Sequence, residues 1–361
     1  EKDIMQIIYA HIVMVMDNPE YDIDGNHLLT NLCAARFGLQ FFKGSHADLL
    51  RKKVCKKLSS VLEEQINEDG GHCERSFMYH SLILEMLLDM KNVGCEEHDN
   101  YVVKMSKYLN YFTDNTAEIP LFNDSAFGVS RNPAELLCYA EKCGLFETRS
   151  SVNQKVAEIF TATNFAVLKK GPWLIHFDGG GVFPPQPGHA HSSGLSFELY
   201  KNGEKVITDP GCFTYREGNM RRHLRSTSAH NTLTVDGKNQ DEIWGAFRMG
   251  GRAEHFPLEI SEKAVTGRLK TWYGAFQKRT VSVFDNKVKI HDIFEFPGSH
   301  EAVIRYLILD SSLKVTCPEL LESSTEKKSC FQFFNTENSA LQMEFRKSFT
   351  KSVSITTIIN R

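Results

Sequence analysis

Residues 187 to 200 read PGHAHSSGLSFELY, with His189 and His191 straddling one alanine at the entrance to an alternating apolar run. In an extended segment, side chains two apart point to the same face, so both imidazoles can look into adjoining pockets. Asp209 follows in VITDPGCF, at the end of the run that returns from an Asn202-Gly203 turn. A hairpin there carries it back beside the histidines. His230 follows in STSAHNTLTVDG, at the start of another apolar run. Two imidazoles and a carboxylate meeting at strand ends suit a zinc ion with an open fourth position, and equally a hydrogen-bonded His/Asp cluster.

Between those candidate ligands, YREGNMRRHLRS carries Arg216, Arg221, Arg222, His223 and Arg225. Alone it reads either as a solvated loop or as a guanidinium clamp for carboxylate and sulfate groups. Upstream, Asn26 and His27 open a helix in DGNHLLTN, where they read on their own as an N-cap and a polar first turn. EDGGHCERSFMYHSL gathers His72, Glu74, Arg75, Tyr79 and His80 after a Gly-Gly turn. Tyr79 and His80 are either members of a reactive site or a satisfied core pair.

Two kinds of element must position these groups. The first half repeats apolar residues at helical spacing: IIYAHIVMVM at 7–16, NHLLTNLCAARFGLQFF from Asn26, then Leu50, Val54, Leu58, Leu62 and Ile66. Arg51, Lys52, Lys53, Lys56 and Lys57 fall elsewhere on that third helix and read as a solvated face. Residues 79–92 and 98–112 predict two more helices, and Asn132-Pro133 supplies an N-cap and first-turn proline for another that Gly144 ends. After about residue 160 the period becomes two. NFAVLKK, WLIHFD, LSFELYKNGEKVITD, NTLTVDG, AVTGRLKTW, RTVSVFDNKVKIHDIFEF, AVIRYLIL, CFQFFN, LQMEF and SVSITTII read as strands, with Asn202-Gly203 and Asp285-Asn286 as hairpin turns. Helices followed by strands predict a helical domain over 1–150 and an antiparallel sandwich over 160–361, with a boundary near 148–162.

The 361 residues are 41% hydrophobic and 24% charged, an ordinary globular composition. A net charge of −3 gives no general affinity for nucleic acid or acidic membranes, so an anionic partner needs a local basic patch. The segment 7–16 is interrupted by His11 and too short to span a bilayer. Nine scattered cysteines without CxxC pairs argue against a disulfide framework. The chain starts at Glu1 and has no leader pattern, which fits a processed or trimmed piece.

Taken together, GNHLLTN, DGGHCERSFMYHSLILEMLLD, PLFNDSAFGVSRNPAELLCYA, GHAHSSGLSFELYKNGEKVITDPGCFTY and RSTSAHNTLTVDGKNQ, running in order from 25 to 240, resemble the heparinase II/III-like polysaccharide lyases, a family that includes related alginate lyases. The resemblance implies a helical toroid followed by an antiparallel β-sandwich, and β-elimination on uronic-acid polymers. By resemblance, Asn26 and His27 stabilise the uronate carboxylate as its C5 proton leaves, as an oxyanion hole does. Tyr79 is the general acid and, for one epimer, also the base, while His189 is the opposing base or a second carboxylate contact. Arg75, His80, Arg221 and Arg225 would contact the anionic chain. His191, Asp209 and His230 would hold a structural divalent metal, usually zinc. Two features depart from the family pattern. About 150 residues supply only a partial toroid, and Ser192 and Ser193 follow the histidine pair where an acidic residue often stands.

The expectation is a two-domain α+β protein with a partial α/α toroid and a β-sandwich, acting as a lyase on an anionic polysaccharide. No nucleic-acid partner, membrane span or organic cofactor is expected, and the sequence does not specify an oligomeric state. Location is expected to be periplasmic or secreted by resemblance, with the cytoplasm as the alternative. The competing readings are a non-catalytic glycan-binding or surface-polysaccharide assembly protein, and a metal-dependent glycan hydrolase. Elimination needs Tyr79 and the Asn26-His27 pair, whereas those two do not.

Overall fold

The computed structural model describes residues 2–113, 116–147, 157–181, 187–319 and 322–360. Six helices come first: α1 (Lys2–Asp17), α2 (Gly25–Leu39), α3 (Ser45–Gln65), α4 (Phe77–Asn92), α5 (Asp99–Thr113) and α6 (Pro133–Lys142). In α3 the predicted stripe of Leu50, Val54, Leu58 and Leu62 is buried, and Lys52, Lys53 and Lys56 face solvent. Ser76 caps α4 by accepting from Tyr79 N (3.2 Å), and Asn132 caps α6 by accepting from Ala134 N (2.9 Å) ahead of Pro133. The α2 helix packs against α1, α3 and α4, and α4 against α5 and α6. No helix among the described residues is long and apolar enough to cross a membrane.

The rest is a thirteen-stranded sheet interrupted by one short helix. Strands β1 (Ala157–Phe160), β2 (Phe165–Lys170), β3 (Trp173–Asp178), β4 (Phe197–Lys201) and β5 (Glu204–Ile207) precede α7 (Asn219–Arg225). After it come β6 (Leu233–Val235), β7 (Glu254–Ser261), β8 (Ala264–Lys270), β9 (Phe276–Val283), β10 (Lys287–Ile308), β11 (Lys314–Thr316), β12 (Glu322–Phe333) and β13 (Thr336–Asn360). Every named strand pairing is antiparallel, in the order β1-β2-β3-β4-β5-β10-β9-β8-β7, with β13 bonded to β10, β11 and β12.

The hydrogen bonding is one continuous network rather than two separate layers. The long β10 makes it so: its first half pairs with β9, its second half with β6 and β5, and a bulge between Phe296 and Ser299 separates the two. LQMEF and SVSITTII, read as two strands, are one strand, β13. The arginine run read as a loop holds α7. Of the boundary expected at 148–162, residues 148–156 lie outside the described residues.

The helical and strand halves share a core. Along β3, Trp173, Ile175 and Phe177 join the interior of the sheet, while Leu174 joins the helical core with Phe165, Val167 and Tyr200. Period-two alternation thus gives each face of β2–β4 its own apolar partner.

Candidate active site

The segment Leu121–Ala126 runs from the helical half against the histidine loop. Asp124 N donates to the His189 carbonyl (3.1 Å), and His191 N donates to Asn123 Oδ1 (3.0 Å). These bonds place the Asp124 carboxylate, which is fully buried, between the two imidazoles. His189 Nδ1 donates to Asp124 Oδ2 (3.0 Å) and His191 Nε2 to Oδ1 (2.8 Å). Arg221, also fully buried, closes the group with a two-pronged pair to both carboxylate oxygens. Burial pushes Asp124 up, but the Arg221 charge and the bonds from His189, His191 and Arg221 outweigh it and hold it well below the usual carboxylate range. An ionised Asp124 can only accept, so His189 donates from Nδ1, and in the neutral imidazole Nε2 is the nitrogen that carries the lone pair.

His189 packs against Tyr79 with ring centroids 4.0 Å apart and the rings tilted by 34°, and the Tyr79 hydroxyl meets the Tyr215 hydroxyl at 3.1 Å. Burial pushes both phenols up, so both are protonated at neutral pH. If Tyr215 donates within the pair, the Tyr79 proton is available to a third group. A cleft of about 530 Å³ opens in front, lined by Asn26, His27, Glu74, Gly188 and His189 among others. His27 is exposed, its Nδ1 3.5 Å from Glu20 Oε1.

Asn26 is anchored through its backbone. Gly25 holds φ +52°, and a Cβ there would collide with the Glu74 carboxylate, which accepts from Asn26 N–H. Only glycine lets the buried carboxylate close on the start of α2. Burial raises Glu74, and its Oε2 has no hydrogen-bond partner among the described residues.

The expected metal trio converges in a particular way. His230 Nδ1 donates to Asp209 Oδ2 (2.8 Å), and the His191 and His230 rings lie 5.3 Å apart. His191 Nδ1 and His230 Nε2, the nitrogens facing away from those carboxylates, are buried without hydrogen-bond partners among the described residues. Burial pushes His191 down to about 3, which keeps it neutral. Two orphaned imidazole lone pairs, each with its far nitrogen on a carboxylate, are the donors a divalent ion takes. Among the described residues no three His, Cys, Asp or Glu side chains stand in a metal-ligating arrangement, because Asp209 is turned onto His230.

Four expected substrate contacts are placed elsewhere. Arg221 is committed to Asp124, and Arg225 is fully buried, donating to the carbonyls of Ala190, Gly245, Arg248 and Pro187. Arg75 ties the halves together through Asp178 and the Thr163 and Gly181 carbonyls. His80 is buried in the helical core, its Nε2 on the Met105 carbonyl (3.1 Å). All four are enclosed, and hydrogen bonds inside the protein already use their donors. Asp124 and Tyr215, which contact His189 and Tyr79, are not singled out by sequence reasoning, whereas Glu74 falls in the cluster it picks out.

The family model described as heparinase II/III-like, C-terminal, matches residues 155–357, and the one described as heparinase II/III N-terminus matches 6–143. The chain belongs to the heparinase II/III-like family. Among curated relatives, a heparin-sulfate lyase of Bacteroides stercoris is 22% identical over 311 residues, covering 79% of this chain and 45% of the relative. One from Bacteroides thetaiotaomicron is 24% identical over 274 residues, covering 62% and 38%. This heparinase-like chain therefore spans less than half the length of these curated relatives. Its fold is that of a solved heparinase III (TM-score 0.78, 18% identity, 98% of this chain and 62% of that one). It is also that of the heparan sulfate lyase of Pedobacter heparinus (TM-score 0.74, 16% identity, 98% and 62%).

Proposed function

We propose that the protein is a polysaccharide lyase that cleaves a uronate-containing glycosaminoglycan by β-elimination in the cleft lined by Asn26, His27 and His189. The observation that carries this reading is the close ring contact of His189 with Tyr79 at the wall of that cleft, with Asp124 bonded to the imidazole Nδ1. Asn26 and His27 meet the uronate carboxylate and stabilise the charge that builds on it as C5 loses its proton. His189 Nε2 takes that proton for one epimer; for the other, Tyr79 takes it after handing its own phenolic proton to His189 Nε2. The C5 electrons form the C4–C5 double bond, the C4–O4 bond breaks, and the Tyr79 hydroxyl protonates the departing O4. Tyr215 supports Tyr79 through the hydroxyl–hydroxyl bond.

A divalent ion, when bound by His191 Nδ1 and His230 Nε2 beside Asp209, would supply a structural charge that organises the strand side of the cleft. Arg221 and Asp124 hold His189 whether or not that site is filled. In this reading the six helices are part of a toroid and the folded sheet is a β-sandwich.

The test is incubation with heparan sulfate, heparin, hyaluronan, alginate and bacterial uronate polymers, followed by ultraviolet absorbance of the unsaturated product. Absorbance should rise on at least one polymer and vanish in Tyr79→Phe. Binding without absorbance on every polymer would favour a glycan-binding protein and overturn the lyase reading.

A further inference from the structure

Residues Glu242–Gly251 form a hairpin-like loop beside the cleft, closed by Glu242 N on the Gly251 carbonyl (2.7 Å) and Trp244 N on the Arg248 carbonyl (3.0 Å). Of the chain's three tryptophans, Trp173 is in the core and the other two are at this loop. Trp244 is 61% exposed and Trp272 46%. Consecutive glycines seat them: a Cβ on Gly250 would lie 2.6 Å from the Trp244 indole, and one on Gly251 3.2 Å from the Trp272 ring. Each indole is thus laid against bare backbone while much of its surface remains open to water.

The loop is also braced from below. Arg221 Nε donates to the Ala246 carbonyl (2.9 Å) and Arg225 Nη1 to the Gly245 carbonyl (2.7 Å). Two buried guanidiniums therefore hold a loop whose largest apolar side chains point outward, the reverse of what core packing requires. The loop separates two cavities. Phe247 and Arg248 line the cleft on one side, and on the other they line a groove of about 600 Å³ together with Trp244, Arg222 and Glu217. Arg222 is paired with Glu217 (2.6 Å), whereas Arg248 makes no ion pair among the described residues.

We infer that this loop is an outer subsite for the anionic glycan, an inference that rests on the proposed lyase reading for its ligand. A pyranose ring lays its apolar face on Trp244, as amphipathic aromatic surfaces at wet interfaces do. Arg248, at the ridge shared by groove and cleft, meets a carboxylate or sulfate of the chain passing between them. The continuity of the two cavities across Phe247 and Arg248 favours a polymer over a separate small ligand. The subsite engages sugars that lie beyond those undergoing elimination, so it contributes to holding long chains rather than to the chemical step.

The experiment compares Trp244→Ala and Trp244→Phe with the unaltered protein on heparan sulfate polymer and on a heparan sulfate tetrasaccharide. With Trp244→Ala the KM for polymer should rise at least about fivefold with kcat held, as loss of an aromatic anchor does. Both constants for the tetrasaccharide should be unchanged, and Trp244→Phe should recover most of the polymer KM. A polymer KM unchanged by Trp244→Ala, or an equal loss on polymer and tetrasaccharide, overturns the subsite. Should the unaltered protein cleave neither, the lyase reading has failed separately. The subsite then stands or falls on the Kd for heparan sulfate polymer by titration calorimetry, which Trp244→Ala must weaken at least about fivefold. Dissociation of a dimer by Trp244→Ala would assign the face to self-contact and overturn the inference.

Discussion

Asp124→Asn is the substitution on which the site geometry makes its strongest demand. The carboxylate accepts four hydrogen bonds, from His189 Nδ1 (3.0 Å), His191 Nε2 (2.8 Å) and two Arg221 nitrogens. Asparagine keeps the shape but offers one accepting oxygen, and its Nδ2 sets a donor against donors. Arg221 is left buried with its charge uncompensated. Breaking a buried pair from one side costs about 3–5 kcal/mol. At about 2 °C per kcal/mol for a chain of this size, Tm should fall by about 6–10 °C. The catalytic effect is separate. With an amide NH₂ facing it, His189 Nδ1 must accept, the proton moves to Nε2, and the nitrogen that takes the C5 proton is blocked. General-base assistance is worth about 10²–10⁴ in rate, so kcat should drop at least about 100-fold. Initial rates of uronate unsaturation, taken below the lowered Tm with the fold checked by circular dichroism, measure it. A variant with unaltered Tm, or with kcat within tenfold of the parent, refutes the reasoning.

Acid should destabilise the protein well before its carboxylates titrate. Burial pushes His72, His80 and His176 down to about 3, 4 and 3, so they are neutral when folded and take up protons near pH 6.5 when unfolded. Their contribution is complete above pH ~6.5 and is lost as pH falls toward 4, at up to roughly 4 kcal/mol per pH unit. The raised Glu74 and Glu198 oppose part of it. A urea midpoint that is flat from pH 6.5 to 4.5 on that scale would contradict this. Gly25→Ala forces a Cβ into the Glu74 carboxylate at a left-handed φ, and should lower stability by about 1–3 kcal/mol and kcat together. An unchanged kcat would show that Asn26 is not anchored by that contact. Elemental analysis should find a divalent ion at near-stoichiometric level that His230→Ala loses, and background metal in the parent protein would remove the ion from the account.

The legible parts of the fold were those written in local periodicity. The α3 stripe and the Asn132 cap are within-segment patterns, as is the hairpin at Asn202-Gly203, where both residues adopt positive φ. What eluded sequence reasoning depends on distant partners. Asp124 sits in PLFNDSAF with no titratable neighbour in that stretch, and its three partners are 65, 67 and 97 residues away. The arginine run reads as a solvated loop or a clamp for an outside anion because charge is visible in sequence and a buried counter-ion is not. Arg221 and Arg225 are enclosed because Asp124 and a ring of carbonyls receive them. Likewise β10 crosses from one set of partners to another at a bulge that no turn residue announces except Pro297-Gly298. Both histidines of the pair bond Asp124; His189 lines the cleft, and His191 is buried beside His230.

The central claim is elimination rather than hydrolysis, and the mass of the product decides it most directly. Heparan sulfate digested in ¹⁸O-labelled water and analysed by mass spectrometry should yield fragments that have gained no water and carry an unsaturated uronate at the new non-reducing end. Fragments that incorporate the label at the cleaved bond would contradict it.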